Sequence, residues 1–388
     1  MAPQKTVLIL GGSFAGVSLA HYLLRHVLPS FEDSYRVVLV NPSRNFFFKI
    51  AAPRALVRPD LIPPETLMPE IETSFSEYTS TEFEFMQAYA TNLNTALRQV
   101  HLQGIDGSSS VLEYEALVIA TGTSSKSSLW SPRDPKEVTV DAMTATHQAL
   151  QRAMHVVVVG GGAVGVEVAG ELGSEFGNTK KITLYSGSSR LLTMVRPRLG
   201  RDAESYLTSL GVKVVHGIRL TGSPKSTVDK KTIVQLDNGE TISADLVLDA
   251  TGSKPNSEYI PKHLLDEKGS VKVDTHFRVA GAGPKVYSLG DIASYSHGGI
   301  LDVTDAVAPL GSIMEYDLSN GMFGKVVEFK RNEKETMIVP VGRSKAVGVV
   351  FGYRIPSFLA WVIKGRTFMV SSSIPYSRGD GFKKKVLL

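Results

Sequence analysis

Two glycine clusters hold the residues whose types and spacing most clearly suit chemistry. The first, Gly11-Gly12-Ser13-Phe14-Ala15-Gly16, follows the apolar run Thr6 to Leu10. The second, Gly160-Gly161-Gly162-Ala163-Val164-Gly165, follows Val156 to Val159 and leads into Val166 to Leu172 at helical spacing. In a strand-turn-helix of this kind the first glycine makes the tight turn, the second lets backbone approach a pyrophosphate, and the third lets the helix close onto the strand. The helix then aims its free N–H groups at the anion. The second cluster meets all three demands. The first carries Ser13 at the middle position, where a hydroxyl adds bulk but can also donate to a phosphate. The chemistry expected is the binding of two dinucleotides by one chain.

Each turn is followed by a second strand, Arg36 to Val40 and Lys181 to Tyr185, completing a β-α-β unit. The next residue should hydrogen-bond a ribose, with Asp or Glu the usual choice; here the positions hold Asn41 and Ser186. Asn41 can still bind a hydroxyl. Ser186 removes the carboxylate that would repel a 2'-phosphate, and Arg190 follows in the same turn, so NADPH is expected to be accepted alongside NADH. The plainer reading of Arg190 is a pair with a surface acid. Each half later carries a strand ending in Ala-Thr-Gly, Leu117 to Gly122 and Leu246 to Gly252. That second repeat turns two weak motifs into two nucleotide-binding folds.

The elements that must position these turns define an α/β chain with two Rossmann-like dinucleotide-binding domains and a small α+β C-terminal module. The first domain is expected to be discontinuous, 1–125 and 266–333, with the second, 126–265, inserted and the module at 334–388. At 388 residues the chain exceeds what one core usually serves. Ser124 to Pro135 and Ser253 to Pro261 read as the two crossings between domains. Val286 to Asp291 reads as a strand-to-turn step, Asp302 to Asn320 as a helix, Met337 to Val341 and Val347 to Phe351 as strands, and Ser357 to Ile363 as an apolar helix.

Composition narrows the function. With 43% hydrophobic and 21% charged residues the chain is globular. Its net charge is only +4, and the basic residues are scattered apart from Lys383 to Lys385, which argues against nucleic acid; such a tail solvates a terminus or brushes an anionic membrane. There is no cysteine, which excludes disulfides, Cys-ligated zinc, iron–sulfur clusters and redox dithiols, so redox chemistry must belong to an organic cofactor. The nine histidines show no HExxH spacing, and no metal site is expected. Val7 to Leu10 is too short for a signal segment, position 2 is Ala rather than the Gly of a myristoylation pattern, and Val347 to Ile363 is broken by Gly352, Arg354 and Pro356. The expectation is a cytoplasmic protein, free or peripheral on a membrane, without signal peptide, transmembrane helix or myristoylation pattern.

In this order, the two dinucleotide folds, the paired ATG strands and the Gly290-Asp291 step resemble the two-dinucleotide-domain flavoproteins. The nearest likeness is to the branch of apoptosis-inducing factor-like and ferroptosis suppressor proteins, related to type II NADH dehydrogenases. It is carried by Phe46 to Ala55, by Gly165-Val-Glu167, and by Gly342-Arg343, Gly348, Phe351-Gly352-Tyr353 and Ile363-Lys364-x-Arg366. The resemblance implies FAD in the first domain, NAD(P)H in the second and a C-terminal module closing over the flavin. Gly11, Ser13, Gly16, Asn41, Arg54, Thr121, Gly122 and Asp291 would hold FAD, with Gly12, Ala15, Lys49, Ala88, Ala120 and Gly290 beside them. Gly160, Gly162, Val164, Gly165, Glu167, Ser186, Arg190, Gly252 and Pro255 would lie along NAD(P)H.

Lys364 is implied near the flavin ring, where a cation stabilises charge gained on reduction; its alternative is a lysine snorkelling from the end of an apolar helix. Glu167 is implied by the nicotinamide or flavin, its alternative being stabilisation of a helix N-terminus. Of Phe46 to Phe48, at most one is expected to touch substrate. Trp361 and Phe358, with Ile355, Leu359 and Val362, form either a membrane-resting patch that admits a lipid quinone or a core helix. The leading function is hydride transfer from NADH or NADPH to FAD with a quinone as acceptor. The alternatives are an NAD(P)H oxidase or electron-carrier reductase, and a redox signalling flavoprotein; monomer and homodimer both remain open.

Overall fold

The structure, a computed structural model, describes residues 4–31, 35–131, 136–226 and 231–386. Its largest sheet has seven strands: β1 (Lys5–Leu10), β2 (Tyr35–Asn41), β3 (Phe83–Asn94), β4 (Gln99–Gly104), β5 (Ser109–Glu113), β6 (Ala116–Ile119) and β16 (Val286–Ser288), in the order β16-β6-β1-β2-β3-β4-β5. Neighbours from β16 to β3 run parallel, whereas β3, β4 and β5 form an antiparallel meander. Parallel strands are covered on both faces and therefore read as continuous apolar runs. Alternate residues of β1 accordingly enter two cores. Val7 and Ile9 pack with helices α1 (Phe14–His26) and α7 (Ile300–Leu318), and Leu8 and Leu10 with Val100, Leu102 and Val271. Strand β16 and helix α7 return to this sheet from the far side of the inserted unit.

The inserted unit is a parallel sheet of β8 (His155–Val159), β9 (Lys181–Ser186), β10 (Val212–His216) and β14 (Leu246–Asp249), in the order β10-β9-β8-β14. Helices α5 (Ala163–Phe176) and α6 (Pro197–Ser209) belong to its larger core. An antiparallel sheet of β11 (Leu220–Ser226), β12 (Thr232–Leu236) and β13 (Thr241–Ala244) contributes to the core on the opposite face. The two crossings meet as a short antiparallel pair, β7 (Thr123–Ser124) with β15 (Lys254–Pro255). Trp130 is buried on the outward crossing and donates its indole N–H to Asp249 O at 2.7 Å. Residues 132–135, the end of the expected linker Ser124 to Pro135, lie outside the described residues; helix α4 (Lys136–Arg152) follows them.

The C-terminal module opens with an antiparallel sheet of β17 (Met337–Val341), β18 (Lys345–Val350) and β19 (Tyr353–Arg354). The expected apolar helix Ser357 to Ile363 starts as α8 (Ser357–Ala360) and continues as a π turn over Trp361–Gly365. The chain then reaches α9 (Ser373–Ser377) and lies along α1. Helices α2 (Ala52–Val57) and α3 (Ile71–Ser74) complete the first unit. Among the described residues no helix is long and apolar enough to cross a membrane.

Candidate functional site

The two glycine turns are built alike. Gly11 has φ +113° and Gly160 φ +124°, a region open to glycine, and a side chain on either would strike the carbonyl of Ala120 or Ala250, the alanine of its own ATG strand. A Cβ on Gly16 or Gly165 would stand 1.8 Å from the carbonyl of Gly11 or Gly160, so each helix sits as close to its turn as backbone permits. Helices α1 and α5 start at Ser13 and Gly162 with no side-chain cap and no acidic residue in the first turn. Their first N–H groups are left for an anion, and the pyrophosphates of FAD and NAD(P)H fit that demand.

A cleft of about 1090 Å³, counting its open mouth, runs from the first turn; Gly11 to Ser13, Asn41, Phe47, Lys49, Ala88, Ala120 and Thr121 line it. Asn41 braces the turn. Its Oδ1 accepts the Gly12 N–H at 2.9 Å and its Nδ2 donates to Ser43 O at 2.7 Å. Thr121 ties the cleft to the return crossing, donating to Asn256 O while Asn256 Nδ2 donates to Thr121 O and the Asn256 N–H to Gly122 O. Asp291 lies 3.5 Å from Lys49, and a side chain on Gly290, at φ +80°, would stand 2.8 Å from the Ala15 Cβ and clash with it. Phe46, Phe47 and Phe48 are all buried. Phe46 and Phe48 pack on Phe14, so Phe47 alone of the three lines the cleft.

Helix α5 carries what the sequence did not disclose. Glu167, Glu171 and Glu175 repeat every fourth residue and therefore share one face. Each meets a cation from another part of the chain. Glu167 binds Lys364 Nζ at 2.5 Å; Glu171 takes a two-pronged bond from Arg54 at 2.8 Å; Glu175 pairs with Arg58 at 3.0 Å and with Arg343. The row locks α5 between helix α2 of the first unit and the C-terminal module. Lys364 also donates to Ile338 O, at 3.3 Å. Burial pushes the Glu167 carboxyl above its ordinary range, and Lys364 opposes the shift.

Several expectations are corrected by these contacts. Arg54 does not face the dinucleotide cleft: buried against the Phe368 ring, it directs its guanidinium to Glu171 and the carbonyls of Gly365 and Arg366. Arg190 neither meets a surface acid nor stands free, because it donates to the carbonyls of Leu192, Thr193 and Val195 at 2.8–3.0 Å. It braces a loop whose Leu192 N–H in turn donates to Gly161 O. Ser186 is buried, its hydroxyl exchanged with the backbone of Ser188. Glu167 lies beyond the first turn of α5, so it does not serve the helix terminus. Lys385 of the basic tail is exposed and also pairs with the buried Glu315 at 2.9 Å. Val164, Gly162 and Gly252 remain accessible at the mouth of the second turn, and Pro255 lies on the crossing pair. Among the described residues no three acidic or histidine side chains converge as a metal site would.

A fold of two uncapped dinucleotide turns joined by paired crossings defines an oxidoreductase working with FAD and NAD(P)H. The chain belongs to the pyridine nucleotide-disulphide oxidoreductase family, which it matches over residues 5–309. It is 35% identical to oxidoreductase phnG of Penicillium herquei, over 94% of both chains, and 27% identical to ferroptosis suppressor protein 1 of Xenopus tropicalis, over 95% of this chain and 94% of that one. The fold is shared with NDH2 from Plasmodium falciparum, solved in complex with NADH, at a TM-score of 0.72 and 14% identity over 97% of each chain.

Proposed function

We propose that the chain is an NAD(P)H:quinone oxidoreductase. The observation that carries this reading is the placement of the Glu167–Lys364 pair. Lys364 turns inward to Glu167, while Val362 and Ile363 beside it, and Phe358 and Leu359 one turn earlier, are exposed. A partly buried acid–cation pair thus lies beside an apolar surface, which suits a lipophilic acceptor and a peripheral contact with lipid. Trp361 is turned back into the module by its bond to Arg343 O at 2.5 Å.

FAD, when bound, supplies acceptance of hydride and onward delivery of electrons. The chain's own groups hold and tune it. The N-terminus of α1, Ser13, Lys49 and Thr121 are assigned to FAD, and the N-terminus of α5 with Gly162, Val164 and Gly252 to NAD(P)H. Lys364 would supply positive charge to stabilise the negative charge gained by reduced FAD, and Glu167, bonded to it at 2.5 Å, would fix its position. Burial raises the Glu167 carboxyl and the Lys364 ammonium opposes the shift, so the pair keeps a cation and its carboxyl partner together at this position. With no cysteine in the sequence, dithiol relay has no residues to use.

The test is acceptor-dependent oxidation of NADH and NADPH by the purified yellow protein. Menadione and a ubiquinone in vesicles should outpace ferredoxin and oxygen, and Glu167→Gln and Lys364→Ala should each slow flavin reduction or reoxidation in stopped flow by about 10–100-fold, the scale of one charge-assisted hydrogen bond. Turnover confined to oxygen or ferredoxin would replace the quinone. Slow turnover with every acceptor, together with partner binding that follows the flavin's redox state, would favour a signalling flavoprotein.

A further inference from the structure

We infer that Arg219 reads the 2'-phosphate of NADPH at the second dinucleotide unit. The residue after the second strand of such a unit sits at the adenosine ribose, and an arginine nearby accommodates a 2'-phosphate. Here β9 ends on the buried Ser186, which offers no carboxylate, and the chain continues through Gly187 to the exposed Ser188 and Ser189. The backbone leaving β10 runs alongside: the Gly217 N–H donates to Ser188 O at 3.1 Å and the Ile218 N–H to Ser186 O at 3.2 Å. The next residue is Arg219. Its Cγ lies only 2.6 Å from where a Cβ on Gly187 would stand, and its Nε donates to Gly187 O at 3.3 Å. Glycine at 187 therefore makes the room that Arg219 fills.

That contact fixes the guanidinium over the end of β9. Its root is held as well, since the Arg219 N–H donates to Asp237 Oδ1 and the Asp237 N–H to Arg219 O, both at 3.0 Å. Among the described residues no hydrogen-bond partner falls to its two terminal nitrogens, in contrast to Arg190, whose terminal nitrogens are bound to carbonyls. A guanidinium edge presented in this way matches two phosphate oxygens, and the Ser188 and Ser189 hydroxyls stand in the same turn as further donors. The specificity element comes from the loop after β10, more than 30 residues from the glycine turn's own strand end.

The inference rests on the NAD(P)H assignment of the second unit and not on the identity of the acceptor. Its test is calorimetric binding of adenosine 2',5'-bisphosphate and of 5'-AMP to the FAD-loaded protein. The wild type should prefer the bisphosphate; Arg219→Ala should reduce the preference by about 10–100-fold, Arg219→Lys should keep part of it, and the NADPH-to-NADH ratio of kcat/KM should fall in parallel. Full preference in Arg219→Ala, a preference lost only in Arg190→Ala, or no preference in the wild type would overturn it. If neither adenylate binds, the assignment of the second unit fails instead.

Discussion

The two dinucleotide units share a turn and differ in how the helix behind it is held. Around Gly11 and Gly160 the backbone, the close approach of the helix and the contact with the ATG strand are nearly superimposable in kind. Helix α1, however, is held mainly through backbone carbonyls of residues 377–382, with one ion pair: His21 Nε2 donates to Ser377 O at 3.0 Å, Arg25 to the carbonyls of Arg378 and Gly379 and to Glu77 at 2.6 Å, and His26 bonds Phe382 O. Helix α5 is gripped by ion pairs through Glu167, Glu171 and Glu175. The difference teaches that dinucleotide binding is settled locally, within a turn, while the coupling of that turn to the rest of the molecule is a long-range matter of side chains.

The sharpest way to break the comparison is to alter the turns themselves. Gly16→Ala should give a colourless protein lacking FAD absorbance, because its Cβ would collide with the Gly11 carbonyl; Gly165→Ala should remain yellow and lose NAD(P)H binding by calorimetry. A yellow Gly16→Ala protein would show that the two turns are not equivalent. Next in size, Glu171→Ala should cost about 3–5 kcal/mol in urea unfolding, since it leaves the buried Arg54 guanidinium without its partner. A loss below 1 kcal/mol would mean that the ion row does not anchor α5.

The corresponding grip on α1 should show in pH rather than in charge removal. Burial, helped by Arg25, lowers the His21 pKa from 6.5 to about 4. The ring is therefore neutral, with Nε2–H donating to Ser377 O and Nδ1 facing Tyr78 Oη. Between pH 6.5 and 4 the unfolded chain binds a proton that the native one refuses. This contribution is thus present above pH 6.5 and lost on acidification, by up to about 3 kcal/mol at pH 4. Unfolding curves of His21→Gln across that window should lack the slope; an unchanged slope would place the acid sensitivity elsewhere. The smallest effect is expected at Arg190. Arg190→Ala should loosen the 191–195 loop and weaken NADH and NADPH binding alike, by about tenfold, the worth of one net hydrogen bond, without altering their ratio.

Local elements were readable because they rest on local rules. Strand Met337–Val341 was read to the residue, and both turns were placed from their glycines, whose spacing reflects steric demands inside one β-α-β unit. The site was legible where it is made of turn backbone. It was not legible at Arg54, which the resemblance assigned to FAD and which bonds Glu171, nor at Arg190, read as either a 2'-phosphate or a surface-acid partner and found on a ring of carbonyls. The spacing of Glu167, Glu171 and Glu175 was the available signal for the ion row. It gave a shared helix face and no way to name the cations facing it.

By itself, then, the sequence determined the two dinucleotide turns, the α/β architecture that carries them and the absence of redox cysteines. Only the tertiary structure decided which charges meet. It brought Lys364 to Glu167 across 197 positions, turned Arg190 into a brace and set Arg219 over Gly187. The physical reason is range. Glycine stereochemistry acts within a few residues, whereas a long charged side chain takes its partner from whatever the fold packs beside it.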